Sequence, residues 1–549
     1  MEPVPFAITL DVGSSHANRT GSWRVNRPRF VERVPPCNDA CPAGENIQGW
    51  LYRAEAGDYE ASWRQLVEDN PFPAVMGRIC YHPCETACNR AQLDESVGIN
   101  SVERFLGDLA IEQGWPLPPA GTGTGKRVLV VGGGPAGLSA AYHLRRMGHQ
   151  VRLVDSAPML GGMMRYGIPA YRLPRPVLDA EIDRILALGV DVVLDHAVRD
   201  LEAEREQGNC DAVFLALGAQ VARRVEVPCG DSSRILDALS LLHGVAVDDA
   251  PALGRRVAVY GGGDTAVDAA RTARRLGATD PVIIYHRNRE HMPAHRAEVE
   301  EALGEGVTMR WHSAVSSFNG EHLVLEKMTV NEEGVPEPTG EFEQLDVDSL
   351  VLALGQDADL SLLDRAAEVR MVDGLIEIMS PTMMTGERGV FAGGDSVPSQ
   401  GTATMAIGQG RRAARGIDAY VHGEELGDPP RGELASFDRL NTWYYSDAPR
   451  TMRPELATAR RQGTFDEVVG GLTEANALFE ARRCLSCGNC FECDNCFGVC
   501  PDNAVVKLGS PHGYRFDLDY CKGCGICAQE CPCGAIDMVP EADMVPEAN

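Results

Sequence analysis

The stretch KRVLVVGGGPAGL, residues 126–138, decides the fold of this chain. A short apolar run leads into Gly132-x-Gly134-x-x-Gly137, and a helical pattern follows. The next apolar run, VRLVDS, carries Asp155 near its end. A strand, a glycine turn, a helix and an acid-ended strand in this order are typical of a dinucleotide site. The glycines let backbone amides approach a pyrophosphate at the helix N-terminus, and the acid binds a ribose hydroxyl.

A second copy of this pattern begins at Arg256 and reads RVAVYGGGDTAVDAARTARRLGA. Its turn has the same spacing and contains Gly261, Gly263 and Ala266. The following strand end carries basic groups where an NAD-specific site usually carries an acid, and they are His286, Arg287 and Arg289. Basic groups there suit the 2′-phosphate of NADP, so we expect NADPH, with NADH as the alternative. A solvated basic loop is the other reading of these residues.

A third segment, residues 389–416, reads GVFAGGDSVPSQGTATMAIGQGRRAARG. It predicts a strand that ends at Gly394 and Asp395, followed by a helix. In flavoproteins with two dinucleotide domains, such a returning strand brings an aspartate to the ribityl and phosphate region of the flavin. The segments FLALGA and LVLALGQD read as the crossings between the two domains. We therefore predict FAD on the first fingerprint, NADPH or NADH on the second, and a nucleotide domain inserted within the flavin domain.

The C-terminal part holds two runs with the spacing C-x2-C-x2-C-x3-C-P. This is the arrangement of two-cluster bacterial ferredoxins, in which the fourth cysteine of each run ligates the other cluster. One predicted [4Fe–4S] cluster has the ligands Cys490, Cys493, Cys496 and Cys531, and the other has Cys521, Cys524, Cys527 and Cys500. Paired zinc sites are the alternative. Cys533 is expected to be a spare buried thiol.

Composition and charge narrow the class of protein. A chain of 549 residues is long enough for several domains, and its 18 cysteines without an export signal fit reduced thiols in the cytoplasm. No uninterrupted apolar run is long enough for a membrane span. A formal charge of −28 argues against nucleic acid. From Cys484 to Asn549 there are ten acidic residues against three basic ones, which suits either a solvated surface or a partner with a basic docking face.

With these motifs together, residues 35–425 resemble the small (beta) subunit of NADPH-dependent glutamate synthase and its relatives. These relatives include the flavin subunit of NADH-dependent ferredoxin:NADP oxidoreductases and the N-terminal half of dihydropyrimidine dehydrogenase. The most specific stretch is LGGMMRYGIPAYRLPRPVLDAEIDRILALGV, Leu160–Val190. The resemblance implies that Gly162, Met163 and Arg172 line the FAD. It also implies contacts to NADP(H) from Gly263, Asp264, Thr265, Ala266 and Arg287, with Ala353, Leu354 and Gly355 nearby.

Two departures from known patterns matter here. His286 stands where an arginine is usual in this family, which weakens the preference for NADPH. Disulfide reductases share the two-dinucleotide plan but carry a redox cysteine pair. This chain has Met163 and Met164 in one of the two usual places and no C-x-x-C between Cys88 and Cys484. Disulfide reduction is therefore excluded.

The resemblance also implies a helical N-terminal domain with two [4Fe–4S] clusters. One would be held by Cys41, Cys80, Cys84 and a side chain of the segment INSVERF, at the place of Glu103. The other would keep only Cys37 and Cys88, which cannot hold a cluster alone. Residues 481–488, ARRCLSCG, are similar to the missing half of the motif, so one hypothesis brings Cys484 and Cys487 back to complete the site. The alternative is a single N-terminal cluster with spare cysteines, so we expect three or four clusters in all.

The predicted order of domains is an arm (1–31), a helical iron–sulfur domain (32–120), the FAD-binding domain (121–250 and 346–430) around an NAD(P)H-binding domain (251–345), a helical connector (431–480), an α+β ferredoxin domain (481–540) and a tail (541–549). The connector leaves open whether the ferredoxin domain is docked or mobile. Hydride and electron transfer are carried by cofactors, so no catalytic side chain is predicted.

Three functions fit these parts, and either a monomer or an oligomer is compatible with them. The first is an electron-transfer subunit of a larger redox enzyme, such as a glutamate synthase, a 2-oxoacid oxidoreductase or a sulfite-reductase-type system. The second is a self-sufficient ferredoxin:NAD(P) oxidoreductase, with electron bifurcation as one form of it. The third is a redox-sensing or assembly protein with structural clusters.

Overall fold

A computed structural model describes residues 19–223, 225, 227–228, 232–331, 334–364, 366, 368–427, 432–509 and 512–541. Most of the predicted arm, residues 1–18, and of the predicted tail, residues 542–549, lies outside the described residues. Within the described part, no helix combines the length and apolar character that crossing a membrane requires.

Short helices follow the first strand, β1 (Asn26–Phe30), and they are α1 (Pro36–Ala40), α2 (Ile47–Glu55), α3 (Tyr59–Leu66), α4 (Pro73–Ile79), α5 (Pro83–Thr86) and α6 (Ile99–Gln113). Proline opens α1, α4 and α5, where its missing N–H costs nothing. Helices α4 and α6 cross with their backbones in contact, because a Cβ on Gly107 would lie 2.3 Å from the Ala74 nitrogen. This close crossing brings the end of α4 next to the first half of α6.

The first dinucleotide fingerprint forms β2 (Arg127–Val131), α7 (Pro135–Arg146) and β3 (Gln150–Val154). The chain continues as α8 (Met163–Tyr166), α9 (Arg175–Leu186), β4 (Asp191–Val193), α10 (Leu201–Gly208), β5 (Ala212–Leu215) and β6 (Val221–Ala222). Apolar runs such as RVLVV are buried on both faces, as expected for parallel strands covered by helices.

The second fingerprint builds a separate parallel sheet in the order β10-β9-β8-β14-β7. Its elements are β7 (Ile235–Asp237), α11 (Ala238–Ala246), β8 (Arg256–Tyr260), α12 (Asp264–Arg275), β9 (Asp280–Ile284), α13 (Arg296–Gly304), β10 (Thr308–Arg310) and β14 (Ser349–Leu352). An antiparallel sheet extends from it with strands β11 (Ser313–Phe318), β12 (His322–Val330) and β13 (Pro336–Asp346).

The chain then returns to the first sheet. The two crossings pair through β6 and β15 (Gln356–Asp357), and a small hairpin follows, β16 (Met371–Val372) and β17 (Leu375–Ile376). Strand β18 (Val390–Ala392) joins β5, which gives the order β18-β5-β2-β3-β4, and α14 (Ala403–His422) packs on α7. The predicted α/β fold with two dinucleotide domains, one inserted in the other, is confirmed.

The C-terminal part contains α15 (Thr458–Arg461), α16 (Glu474–Arg482), α17 (Asn495–Val499), β19 (Val505–Lys507), β20 (Tyr514–Phe516), α18 (Ile526–Gln529) and β21 (Ile536–Pro540). Outside its short helices, the connector is largely irregular chain that follows the surface of the other domains. The ferredoxin part is docked, because β21 pairs antiparallel with β1 and the side chain of Arg33, from the helical iron–sulfur domain, donates to the Gly534 carbonyl at 2.8 Å.

Candidate functional site

A cavity of about 1390 Å³ lies between the two parallel sheets. Both predicted fingerprint turns line it. The flavin half contributes Gly132, Gly134, Asp155, Gly162, Met163, Gly394 and Asp395, and the nucleotide half contributes Asp264, Thr265 and Leu354. The cavity is therefore continuous between the two predicted dinucleotide sites.

Glycines shape the flavin half because side chains would collide there. Gly132 has φ +106°, and a Cβ on it would lie 2.2 Å from the Ala216 carbonyl oxygen. A Cβ on Gly162 would lie 2.8 Å from the Cα of Gly134, so these two turns touch through their backbones. Gly137 lets the first turn of α7 pack closely on the glycine turn, since a Cβ there would lie 1.8 Å from the Gly132 carbonyl oxygen. The α7 N-terminus consequently faces the cavity, which is the geometry that a pyrophosphate needs.

Acidic side chains flank this turn. The Gly133 N–H donates to Oδ2 of Asp155 at 2.6 Å and the Ala157 N–H donates to its Oδ1 at 2.8 Å, which fixes the carboxylate at the end of β3. Burial raises the pKa of Asp395, which follows β18. Next to it, the Gly394 N–H donates to Oε1 of Gln409 at 2.7 Å. Gln409, on the buried face of α14, is a residue that the sequence motifs did not reveal.

The nucleotide half repeats this construction. A Cβ on Gly261 would lie 2.1 Å from the Ala353 carbonyl oxygen, so the turn packs on the end of β14. Gly263 has no atom within 4 Å of its Cβ position, which leaves open space at the α12 N-terminus. Oδ1 of Asp264 accepts the His295 N–H at 2.8 Å. Ala266 is fully buried, and Gly355, with φ +109°, lies against the Arg223 side chain.

The three basic residues after β9 lie outside the wall of this cavity. His286 is in contact with the ring of Tyr285, with ring centroids 4.7 Å apart, and burial lowers its pKa. Arg289 is exposed and forms an ion pair with Glu300. Arg287 differs from both, because its buried Nε atom has no hydrogen-bond partner in the described part of the chain. An unsatisfied guanidinium of this kind suits an anionic group of a ligand.

Arg172 lines the cavity, as the resemblance implies, but its guanidinium is bound by the nucleotide domain. Its Nη1 lies 2.7 Å from Oδ2 of Asp268, and its Nη2 pairs with Glu298. Neither acid was found from the sequence. The signal was present in α12, where Asp268 and Arg271 interrupt a buried alanine-rich face at helical spacing.

The ferredoxin cysteines assemble as two groups. In the first, Cys490, Cys493, Cys496 and Cys531 are close neighbours: burial and then the charges of the other three raise the pKa of Cys496 to about 12. In the second, Cys500, Cys521, Cys524 and Cys527 line one small cavity, and burial and then the other three charges raise the pKa of Cys527 to about 12. Cys533 is buried, and its Sγ lies 3.7 Å from that of Cys531.

A third group joins the two ends of the chain. Cys37, Cys88, Cys484 and Cys487 line a common cavity. Burial, together with the charges of Cys484, Cys88 and Cys487, raises the pKa of Cys37 well above its ordinary value. The structure therefore brings the ARRCLSCG segment to the two N-terminal cysteines.

The fourth group consists of Cys41, Cys80, Cys84 and Glu103. Burial, and then charges that include Cys41, Cys80 and Glu103, raise the pKa of Cys84. A second buried carboxyl, Glu45, also adjoins Cys41, and Asn70 donates to both acids, at 2.9 Å to Glu45 and 3.0 Å to Glu103. Glu45 was missed in the sequence because it lies outside the cysteine motifs.

These groups suit a cluster better than a single ion. Among the described residues, no three His, Cys, Asp or Glu side chains converge closely enough for one metal ion. A zinc ion needs thiolate sulfurs at about 2.3 Å from one point, whereas a cubane takes thiolates spread around it. Sulfur donors around small cavities fit iron–sulfur clusters, and the glycine-lined cavity fits dinucleotides.

Comparison with known proteins agrees with this geometry. The sequence model of pyridine nucleotide-disulphide oxidoreductases matches residues 126–410, that of dihydropyrimidine dehydrogenase domain II, 4Fe-4S cluster, matches residues 30–115, and that of the 4Fe-4S binding domain matches residues 514–537. The NADP(+)-dependent formate dehydrogenase subunit beta of Moorella thermoacetica is 36% identical over 498 residues, covering 82% of this chain and 70% of that protein.

Further relatives show the same extent of similarity. The NADPH-Fe(3+) oxidoreductase subunit beta of Geobacter sulfurreducens is 31% identical over 512 residues, covering 84% of this chain and 76% of that protein. The glutamate synthase [NADPH] small chain of Azospirillum brasilense is 34% identical over 418 residues, covering 71% of this chain and 86% of that protein.

Fold and site together define an iron–sulfur flavoprotein oxidoreductase that uses FAD, a nicotinamide nucleotide and [4Fe–4S] clusters. Its two dinucleotide domains share one cavity, and its cysteines form groups at both ends of the chain. The chain belongs to the glutamate synthase small-chain-like family of FAD and iron–sulfur oxidoreductases.

Proposed function

We propose that this chain carries electrons between NADPH and a protein partner, through FAD and four [4Fe–4S] clusters. The main support for this proposal is that four cysteines from opposite ends of the chain line one cavity: Cys37, Cys88, Cys484 and Cys487. Four sulfur donors in one place complete a site that the N-terminal cysteines alone leave half-built. FAD would lie on residues 121–250 and 346–430, and NADPH on residues 251–345.

The spacing of the ligands supports a linear path. Cys41 and Cys37 are four residues apart, as are Cys84 and Cys88, so the Glu103 group and the Cys484 group are neighbours. Cys487 is three residues from Cys490, so the Cys484 group adjoins the first ferredoxin group. The two ferredoxin groups exchange their fourth ligands. The clusters would therefore follow one another from the flavin domain to the ferredoxin end.

The flavin when bound converts a two-electron hydride into single electrons that clusters accept. The chain supplies position and shielding. The glycine turns would hold the pyrophosphates of the two dinucleotides, and Arg172 joins the flavin segment to the nucleotide domain through Asp268 and Glu298. Tyr81, directly after Cys80, lines the large cavity together with Ile79, so the Glu103 group borders the space between the two dinucleotide sites.

A protein partner is supported by the relatives that are subunits of larger enzymes. The ferredoxin end suits docking: Cys524 is exposed, and Trp443 is 87% exposed on a loop in which the next residue, Tyr444, bonds to Glu530. Its two lysines are neutralised by aspartates, Lys507 by Asp494 and Lys522 by Asp502. We propose a partner with a basic face, in the cytoplasm, where cluster thiols stay reduced.

The test is the iron content of the anaerobically purified protein. Four clusters require about sixteen iron atoms per chain, and the Cys484→Ser variant should lose one cluster signal and about four irons. Cys210→Ser is the matched control, because Cys210 is a buried cysteine of the flavin domain outside all four groups. An unchanged cluster count in Cys484→Ser would refute the four-cluster path. Failure of NADPH to reduce the flavin would instead favour structural clusters.

A further inference from the structure

Electrons and protons have to separate in a chain that turns hydride into single electrons. A hydride is one proton with two electrons, and clusters take only the electrons. For each NADPH oxidised, one proton therefore has to leave the buried flavin site, and in the reverse direction one has to enter. Cysteine-ligated clusters offer it no route, so a separate path of titratable groups or water is required.

Three buried side chains at the edge of the large cavity, Arg172, Asp268 and Glu298, form a trio whose charge suits proton transfer. Arg172 lies between two carboxyls, with Asp268 at 2.7 Å and Glu298 as its other ion-pair partner. The three side chains are 12%, 6% and 8% exposed. One guanidinium balances only one carboxylate, so the trio is neutral when a single proton is shared between the two acids. Burial of a net charge is costly, which favours that protonated state.

The proton belongs on Glu298 because Asp268 has more partners. The Tyr171 hydroxyl donates to Oδ1 of Asp268 at 3.2 Å. Burial raises the pKa of Asp268, and the charges of Arg172 and Arg271 oppose this. In contrast, the buried Oε2 of Glu298 has no hydrogen-bond partner in the described part of the chain. The Tyr81 side chain lies close to the Glu298 carboxyl and, like the Arg172 charge, opposes the effect of burial on its pKa. Burial raises the pKa of Glu298 to about 8 although the Arg172 charge opposes this.

The trio separates the large cavity from a second one. Arg172 and Asp268 line the large cavity, whereas Arg172 and Glu298 line a polar cavity of about 120 Å³ on the other side. That volume holds several water molecules, and its walls are polar. The charge of Asp264, from α12, also acts on the Glu298 carboxyl. The other charged or titratable groups along the second cavity are Arg78, Cys80, Tyr81, His82 and Arg104 from the helical domain, His295 just before α13, Glu301 from α13, and Arg453 and Glu467 from the connector.

We propose that Glu298 relays the proton left in the flavin site by each hydride: the carboxyl gives its own proton to water in the second cavity and then takes up the proton from the flavin side. In the NADPH-oxidising direction, two electrons leave through the clusters to a one-electron acceptor and one proton leaves through this carboxyl. In the reverse direction, two electrons and one proton enter. The inference rests on the proposed function, since it requires hydride on one side and clusters on the other.

The test uses the full-length protein with ferricyanide, which takes electrons without protons: NADPH and two ferricyanide ions give NADP⁺, two ferrocyanide ions and one proton. Flavin reduction by NADPH in Glu298→Gln should proceed at the wild-type rate. Flavin reoxidation and dye-detected proton release should both slow about 100-fold, the scale on which positioned proton transfer accelerates a reaction. Proton release at the wild-type rate in this variant would overturn the proposal.

Two further measurements keep the test decisive. Ala297→Phe places a ring in the second cavity while keeping the three residues of the trio, and it should slow proton release in the same way, even if Glu298→Gln fails to fold. In the protein without flavin, a carboxylic-acid infrared band should disappear as the pH rises through about 8, and Glu298→Gln should lack it. Glu300→Gln is the matched control, because Glu300 is an exposed acid on the same helix. If wild-type flavin is not reduced by NADPH at all, the proposed function fails and this inference fails with it, whereas normal flavin reduction with wild-type proton release in Glu298→Gln overturns this inference alone.

Discussion

Glu305→Gln is the substitution that tests how the nucleotide domain is held in place. Glu305, just after α13, is fully buried and accepts hydrogen bonds of 2.6–3.1 Å from Arg271 and Arg275, whose side chains are also fully buried. The ring of Tyr171, from the flavin segment, lies 3.7 Å below the Arg275 guanidinium. The connector joins through Gln462, which donates to the Glu305 carbonyl at 2.9 Å.

Glutamine keeps the shape of Glu305 but removes its charge, which leaves two buried guanidinium groups facing one neutral amide. Breaking a buried ion pair in this way costs about 3–5 kcal/mol of unfolding free energy. Glu301→Gln is the matched control. Glu301 forms an ion pair with Arg271, at 2.8 Å, and its side chain is 27% exposed, so removing its charge should cost at most about 1 kcal/mol.

The assay is urea unfolding of both variants, with the KM for NADPH and the FAD content measured in parallel. We expect Glu305→Gln to unfold at lower urea and to raise the KM for NADPH, because the nucleotide domain loosens, while FAD stays bound. Hydrogen bonds from Arg275 and Arg271 outweigh burial and lower the pKa of Glu305. The stabilisation is therefore present above pH 4.5 and declines as the pH falls below it, so wild type and variant should converge in acid. Equal unfolding free energies for Glu305→Gln and Glu301→Gln at pH 7 would refute this reasoning.

Three further predictions concern the nucleotide sites and pH. Arg287→Gln should lower the preference for NADPH over NADH, measured as the ratio of the two kcat/KM values, by about 10- to 100-fold, which corresponds to the loss of one charged hydrogen bond. Arg289→Gln should leave this ratio unchanged, because Arg289 is exposed and paired with Glu300. Gly263→Ala should weaken NADPH binding about tenfold at constant thermal stability, because the new methyl group meets no protein atom but would meet a bound pyrophosphate. The control is Gly304→Ala, whose methyl group also meets no protein atom, and this variant should bind NADPH as the wild type does. Burial, with the charges of nearby arginines, lowers the pKa of His143 to about 3. Below pH 6.5 the unfolded state therefore binds a proton that the folded state does not bind. The free energy of unfolding should then fall by about 1.4 kcal/mol for each unit by which the pH decreases. Urea midpoints from pH 7 to pH 5 should show this slope in wild type, and a His143→Gln variant with the same slope would contradict it.

Much of the fold follows from local patterns. The glycine turns at Gly132 and Gly261 are predictable because no other residue tolerates their positive φ and the carbonyl oxygens that approach them. The two ferredoxin runs are predictable because their ligand spacing is itself the geometry of the site. The buried acids of α12 and α13, Asp268 and Glu298, are not, because their role depends on an arginine about a hundred residues earlier.

The amino-acid sequence by itself determined the two dinucleotide domains, the insertion of one in the other, and the composition of the ferredoxin groups. Each of these is encoded in segments of a few dozen residues, where chain connectivity limits the geometry. Only the tertiary structure decided that Cys484 and Cys487 meet Cys37 and Cys88, and that the ferredoxin part is docked through β1 and β21. These contacts join residues about 400 to more than 500 positions apart. At that separation the chain imposes almost no constraint, and the packing of several domains selects the partner.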